Sequence, residues 1–185
     1  MGADVVILTG PPGAGKSTTA RALASALPRS VHLHTDDFWR SIVSGAIPPY
    51  LPESEEQNHT VMRVIRAAAD TYATGGFVTV IDGVIGPWML DHFIGGDGED
   101  PPALHYIVLR PVYEETLRRA QARTAPDALV DEQPIASLWS QFSDLGALER
   151  NVIDTTGQQP DKTVEAVQHA VASGSFVLGA APTRR

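Results

Sequence analysis

Short apolar runs alternate with helical segments along most of the chain. Five runs rich in β-branched and aliphatic residues predict strands covered on both faces. They span residues 5–8, 31–34, 77–81, 104–109 and 151–154. Because strands and helices alternate, right-handed crossovers predict a mainly parallel five-stranded sheet with helices on both faces. We therefore predict an α/β fold whose ligand lies beyond the carboxyl ends of the strands.

Helical periodicity is clearest over residues 55–72. Ser54 and Gln57 have the spacing of a capping box at the start of this helix, and glycines follow its end. Apolar side chains recur along it at intervals of three and four residues: Val61, Val64, Ile65, Ala68 and Tyr72. This stripe is expected to pack on the sheet.

The length of 185 residues suits one well-buried core and is short for two domains. We expect a single domain over residues 1–174, with a short lid near 123–135 and a C-terminal tail over 175–185. Proline-rich residues 45–52 and glycine-rich residues 95–102 are predicted to form loops.

Composition excludes several classes of function. A net charge of −8 argues against extended nucleic acid as a partner. Cysteine is absent, which excludes disulfides and thiolate metal sites. The first strand begins within a few residues, and no apolar stretch approaches the roughly 20 residues that span a bilayer. We expect a cytoplasmic monomer or homodimer without membrane contact.

The most specific signal is the segment GPPGAGKS at residues 10–17, which fits the pattern G-x-x-x-x-G-K-[ST]. It lies between a predicted strand and a predicted helix, as the pattern requires. In such a loop, backbone N–H groups and the helix N-terminus cradle phosphates, the lysine reaches the terminal phosphates and the hydroxyl ligates Mg²⁺. The sequence therefore predicts a nucleoside triphosphate site formed by Gly10, Gly13, Ala14, Gly15, Lys16, Ser17 and Thr18.

Carboxylates follow the second and third strands. Asp36 and Asp37 come directly after the second, where an acceptor hydroxyl would lie. We take Asp36 as the group that orients this hydroxyl and accepts its proton; helix capping explains one of the two aspartates equally well. Asp82 ends the third strand and is predicted to hold Mg²⁺ with Ser17, the alternative being a polar strand end that caps a turn. Gly83 follows Asp82 instead of the glutamate that activates water in many hydrolases, which favours a transferase.

Arginines after the fourth strand are candidates for nucleotide contacts. Arg119 and Arg123 lie four residues apart on one predicted helix face, so they can divide base and phosphate contacts. A solvated face paired with neighbouring glutamates explains any single arginine equally well. Arg63, on the polar side of the long helix, and Arg40, close after Asp36, are candidate acceptor contacts.

The six histidines show no metal-ligand spacing. His32 and His34 alternate on one face of the second strand. Most of the histidines are predicted to be structural or solvated.

Together these segments resemble the small P-loop kinases related to nucleoside monophosphate kinases, in particular gluconate kinases, shikimate kinases and chloramphenicol phosphotransferase. GPPGAGKST matches their phosphate loop, HTDDF their aspartate-bearing segment, VIDGV their third-strand end, and LRPVYEETLRRAQAR their strand, helix and lid arginine. The resemblance covers nearly the whole chain. It implies that Asp36 is the catalytic carboxylate, and it gives nucleotide roles to Arg119, Arg123 and the backbone of Thr155 and Gly157.

The resemblance implies a P-loop NTPase fold and a Mg²⁺-dependent kinase that phosphorylates a hydroxyl of a small molecule, such as a sugar acid, a nucleoside-like compound or an antibiotic. ATP is expected because no guanine-reading Asn-Lys-x-Asp segment is present. TDDFWRSI also resembles a stretch of phage polynucleotide kinases and zeta-type toxin kinases, so a kinase of nucleic-acid 5′ ends or nucleotide sugars is an alternative. A non-catalytic nucleotide switch is a second alternative. The expected catalytic residues are Lys16, Asp36 and Arg123, with Asp36, Asp37, Arg40, Arg63 and Gly83 on the acceptor side.

Overall fold

The computed structural model describes residues 2–95, 102–125 and 128–178. Within these ranges the chain forms five strands: β1 Val5–Thr9, β2 Ser30–His34, β3 Val78–Asp82, β4 Leu104–Leu109 and β5 Val152–Ile153. They form one sheet in the order β2-β3-β1-β4-β5, and every neighbouring pair is parallel. The predicted fold class is confirmed, and each strand end lies within one residue of its predicted position.

Six α-helices lie in the described parts of the chain: α1 Lys16–Ser25, α2 Thr35–Arg40, α3 Glu55–Thr74, α4 Tyr113–Gln121, α5 Glu132–Ser140 and α6 Pro160–Ser173. Short 3-10 helices precede α3, follow β3 and precede β5. In the same described ranges, no helix combines the length and the apolar character needed to cross a membrane.

The side-chain alternation along β1 divides the core into two layers. Val5 and Ile7 pack with apolar residues of α3, whereas Val6 and Leu8 pack with residues of α1 and α6. All four side chains are buried. An uninterrupted apolar run therefore marks a strand that is covered on both faces.

The predicted capping box at the start of α3 is wrong. The Ser54 hydroxyl donates to the Pro49 carbonyl (3.0 Å) instead of capping the helix. The Gln57 amide donates to the Ile47 carbonyl (2.7 Å) and accepts from the Ile47 N–H (2.9 Å). Asn58 also donates to Pro49 (2.8 Å). Side chains at the start of α3 thus bind backbone groups of the preceding proline-rich segment, which forms no helix or strand of its own.

The backbone that follows β3 is fixed by buried polar side chains. Thr9 Oγ1 accepts the Ile85 N–H (2.9 Å), and the Tyr106 hydroxyl donates to the Ile85 carbonyl (2.9 Å). A Cβ on Gly83 would lie 2.0 Å from Thr35 Oγ1, so only glycine fits against the start of α2. These contacts hold the end of β3 in place beside β1 and β2.

The predicted lid and tail are described only in part. Residues 126–127 of the lid, residues 96–101 of the predicted loop and residues 179–185 of the tail lie outside the described residues. The last part of the predicted lid is the start of α5. Residues 176–178 bond to β4, since Phe176 accepts from Tyr106 (2.9 Å) and Leu178 donates to Leu104 (2.8 Å). The division into domain, lid and tail stays a prediction.

Tyr106→Phe is expected to lower the free energy of unfolding by about 1–3 kcal/mol, because the buried Ile85 carbonyl loses its partner. Urea denaturation measures the change. Tyr50→Phe is the matched control; that residue is about half exposed, so its substitution is expected to cost less than about 0.5 kcal/mol. Equal costs for the two variants would contradict the role given to the Tyr106 hydroxyl.

Candidate active site

The phosphate loop joins β1 to α1 and passes close to β4 and α4. Gly10 has φ 139°, and a Cβ there would lie 2.0 Å from the Leu109 carbonyl oxygen. Gly13 has φ 83°, and its Cβ would lie 2.5 Å from the Thr116 carbonyl oxygen. Gly15 takes the left-handed N-cap position of α1 and supplies no capping side chain. The N–H groups of the first turn are therefore left for a bound anion.

Lys16 is buried, and its Nζ donates to the Pro11 carbonyl oxygen (2.9 Å). Burial and the nearby Arg123 guanidinium lower the pKa of Lys16 to about 8, although Asp82 and Asp36 act in the opposite direction. The ammonium therefore lies within electrostatic range of all three charged groups. Such a desolvated cation beside a second cation favours an incoming anion.

Asp82 ends β3, and its carboxylate is buried. The Ser17 hydroxyl donates to Oδ2 (2.6 Å), while His32 Nε2 lies 2.5 Å and His34 Nδ1 3.1 Å from Oδ1. Burial opposes ionisation, yet the hydrogen bonds from His32, His34 and Ser17 together hold the pKa of Asp82 well below its usual value. The carboxylate is therefore ionised and carries three donors.

His34 lies between two carboxylates. Its hydrogen bond to Asp82 raises the pKa of the imidazole, and burial opposes this increase only partly. Its Nε2 lies 3.6 Å from Asp36 Oδ2. His32 and His34 were predicted only to be among the structural or solvated histidines, with no part in the site. The signal that could have found them is their alternation on a strand that pairs in parallel with the strand ending in Asp82, with His34 opposite Asp82 itself.

Asp36 and Asp37 lie in the first turn of α2, where negative charge is favourable. The N-cap residue is His34, which makes no side-chain cap. Neither aspartate is therefore the N-cap residue of α2, which was the alternative role considered for one of them. Asp37 accepts from Arg40 Nη1 (2.9 Å), whereas the Asp36 side chain is 61% exposed. Asp36 faces solvent at the same edge as Lys16.

Arg119 connects α4 to the loop after β5. Its Nε donates to Glu115 (2.7 Å), and its Nη2 donates to the carbonyl of the buried Thr155 (3.1 Å). The guanidinium lines a cavity of about 410 Å³ beside the phosphate loop. Gly15, Thr18 and Gly157 are further lining residues. Of the residues predicted to contact the nucleotide, Arg119, Gly15, Thr18 and Gly157 thus line one cavity, and their contact with a nucleotide stays a prediction.

Arg63 and Gly83, both predicted to contact the acceptor, differ in their surroundings. Arg63 is exposed on α3 and donates to Thr60 (2.9 Å). Burial, His59 and then the charge of Arg63 lower the pKa of His92, which ends the 3-10 helix after β3. No described contact joins Arg63 to the phosphate loop. Gly83 packs closely against Thr35, the residue before Asp36, and its place on the acceptor side stays a prediction.

The residues at the end of β3 fit a magnesium ion. The described residues hold no cluster of three or more His, Cys, Asp or Glu side chains arranged for a metal. Mg²⁺ is commonly bound through one or two carboxylates together with substrate phosphates, so such a cluster is not needed. The hydroxyl of Ser17 and the ionised carboxylate of Asp82 supply oxygen donors of the required kind beside the phosphate loop.

Several solved structures share this fold. A sugar kinase from Janibacter sp. HTCC2649 has 21% identity and a TM-score of 0.68, with 92% of this chain and 95% of that chain covered. A shikimate kinase from Acinetobacter baumannii has 20% identity and a TM-score of 0.60, with 93% and 94% covered. The tunicamycin resistance protein of Deinococcus radiodurans has 16% identity and a TM-score of 0.64, with 95% and 98% covered.

No curated protein matches this sequence. At identities this low, the structural likeness shows a shared fold, which is the P-loop NTPase fold predicted from the sequence. A family model described as an AAA domain matches residues 6–138, which include the phosphate loop and the strands β1 to β4. The match covers more than half of the chain, and the protein therefore belongs to this AAA domain family.

Proposed function

We propose that this protein is a Mg²⁺-dependent kinase that transfers the γ-phosphoryl group of ATP to a hydroxyl of a small molecule. One observation carries the proposal: the buried Lys16 at the start of α1 is followed directly by Ser17, whose hydroxyl bonds the buried carboxylate of Asp82 (2.6 Å). Arg123 and Asp36 are near enough for their charges to affect the pKa of Lys16. Phosphoryl transfer depends on cations around the transferring group and on a carboxylate that orients the acceptor.

Each residue has a separate task in this proposal. The loop amides and Lys16 bind the phosphates, and Arg123 adds positive charge where charge develops in the transition state. Ser17 and Asp82 would hold Mg²⁺, which neutralises charge on the phosphate oxygens when it is bound. Asp36 orients the acceptor hydroxyl and accepts its proton. Its exposure leaves it open to a substrate from solvent.

The acceptor is proposed to bind between α2 and the segment that precedes α3. Trp39 of α2 donates to Asn58 Oδ1 (2.9 Å), and Asn58 donates to the carbonyl of Pro49 (2.8 Å). The helix that carries Asp36 and the proline-rich segment are therefore held by the same residue of α3. Arg40 pairs with Asp37 at the end of this helix.

A small molecule is the favoured acceptor class. The net charge of −8 disfavours a long nucleic-acid substrate. The structural neighbours named as a sugar kinase and a shikimate kinase support the same choice. The identity of the hydroxyl compound follows from neither observation and is the subject of the experiment below.

A panel of acceptors tests the proposal. Sugar acids, nucleosides, hydroxylated antibiotics and 5′-hydroxyl oligonucleotides would each be incubated with ATP and Mg²⁺, and ADP release would be measured. We expect one small-molecule class to stimulate ADP release. Stimulation by the oligonucleotides alone would favour the polynucleotide kinase alternative. ATP binding without stimulation by any compound would favour a nucleotide switch.

ATP affinity is expected to weaken above pH 8. The charged form of Lys16 binds the phosphates, and its pKa of about 8 means that the free protein loses this charge as the pH rises through that value. Affinity should be at its maximum below pH 8 and fall roughly 10-fold by pH 9. Calorimetric titration with ATP at several pH values measures this.

Lys16→Arg is the matched control, because a guanidinium stays charged throughout this range. Its ATP affinity should be independent of pH between 7 and 9, whatever its absolute value. Lys16→Ala should retain the fold and lose turnover. The same pH dependence in Lys16→Arg would show that another group is responsible.

Asp36→Asn should lower kcat by roughly 10²- to 10⁴-fold, because the amide cannot accept the hydroxyl proton. ATP affinity should be unchanged, since Asp36 is assigned to the acceptor side. The free energy of unfolding should change by less than about 0.5 kcal/mol, because the side chain is mostly exposed.

Asp37→Asn is the control within the same helical turn and should retain most of the activity. Steady-state kinetics with the best acceptor of the panel compares the two variants. A larger loss in Asp37→Asn would move the proton acceptor to that residue, and full activity in both would remove carboxylate catalysis from α2.

A further inference from the structure

The Asp82 carboxylate has more hydrogen-bond donors than a magnesium ligand requires. Ser17 supplies one, and two imidazoles supply the others. His32 and His34 come from alternate positions of β2, which is the edge strand next to β3. Their side chains are 18% and 27% exposed, whereas that of Asp82 is 1% exposed. Both imidazoles thus reach inward from the sheet edge to one buried group.

The two imidazoles bind mainly one oxygen of the carboxylate. His32 Nε2 lies 2.5 Å and His34 Nδ1 3.1 Å from Oδ1. The Ser17 hydroxyl donates to the other oxygen, Oδ2, at 2.6 Å, where His34 Nδ1 is also within reach at 3.2 Å. Against an ionised carboxylate each of these nitrogens must carry its proton. The arrangement therefore fixes both the rotation of the carboxylate and the ring nitrogen that each histidine presents.

We propose that His32 and His34 are positioning residues for the magnesium side of the site. By holding Oδ1, they keep Oδ2 on the Ser17 hydroxyl, so that both oxygen donors are in place before Mg²⁺ and ATP arrive. Partners behind a metal-binding group commonly have this effect, because they remove the cost of ordering it at the moment of binding. The inference rests on the proposed function, since it takes Ser17 and Asp82 as the Mg²⁺ side of an ATP site.

Amide side chains allow a sharp test. The Gln amide nitrogen has the reach of an imidazole Nε2, and the Asn amide nitrogen has that of an Nδ1. His32→Gln and His34→Asn therefore keep the donor that each histidine uses, whereas His32→Leu and His34→Leu remove it at similar volume. His169→Leu, an exposed change on α6, is the control for loss of a histidine elsewhere.

The measurement is the dissociation constant of ADP and of a non-hydrolysable ATP analogue, by calorimetry, in excess Mg²⁺ and in EDTA. In the leucine variants of His32 and His34 we expect the gain in nucleotide affinity from Mg²⁺ to shrink roughly 10-fold. The dissociation constant measured in EDTA should be unchanged. His32→Gln, His34→Asn and His169→Leu should keep the gain within about 2-fold of the unmodified protein.

A purely structural role for the two histidines would lower the melting temperature and leave the Mg²⁺-dependent gain unchanged, which would overturn the inference. If the leucine variants fail to fold, the exchanged amides His32→Asn and His34→Gln replace them, because they are polar but have the wrong reach; a full Mg²⁺-dependent gain in these would equally overturn it.

The same titrations separate this inference from the proposed function. The expected loss of Mg²⁺-dependent gain, in a protein that phosphorylates no acceptor, would support the positioning role and contradict the kinase. Absence of nucleotide binding by the unmodified protein would overturn the nucleotide site and the positioning role together.

Discussion

The buried carboxylate of Asp82 is the group on which the arrangement of the site depends. An ionised carboxylate in a protein core costs several kcal/mol unless it is paired and hydrogen-bonded. Here the order of the strands supplies the partners. Because β3 lies between β2 and β1, Asp82 has His34 on one side and the start of α1, with Ser17, on the other. The contacts that stabilise the buried carboxylate of Asp82 are therefore the same contacts that orient it in the proposed site.

The positive charge of Lys16, at the same edge of the sheet, lacks the full set of partners that Asp82 has. Lys16 is buried, and its lowered pKa reflects both burial and repulsion by the charge of Arg123. Its hydrogen bond to the Pro11 carbonyl satisfies the ammonium only in part. A polyanion that enters the phosphate loop would offset the repulsion on the Lys16 ammonium and complete its hydrogen bonds. The carboxylates of Asp82 and Asp36 already have hydrogen-bond donors or solvent. The site therefore favours a ligand of negative charge, such as a nucleoside triphosphate.

Features that depend on residues close together along the chain could be predicted from the sequence. The five strands and the phosphate loop follow from apolar runs and from the spacing of glycines, lysine and serine. The position of Asp82 at the end of β3 follows from the apolar run that precedes it. Contacts between distant segments could not be predicted. The hydrogen bond between His32 and Asp82 depends on which strand lies next to β2. The hydrogen bond from Gln57 to Ile47 forms because the proline-rich segment folds back on α3.

Transfer of the phosphoryl group itself is the central claim, and its most direct measurement uses ATP radiolabelled at the γ-phosphoryl. After incubation with Mg²⁺ and an acceptor, the account predicts one labelled acceptor hydroxyl for every ADP formed, with the label lost when Lys16 is replaced by alanine. Label that appears only as free inorganic phosphate, or ATP that stays intact with every acceptor, would contradict it.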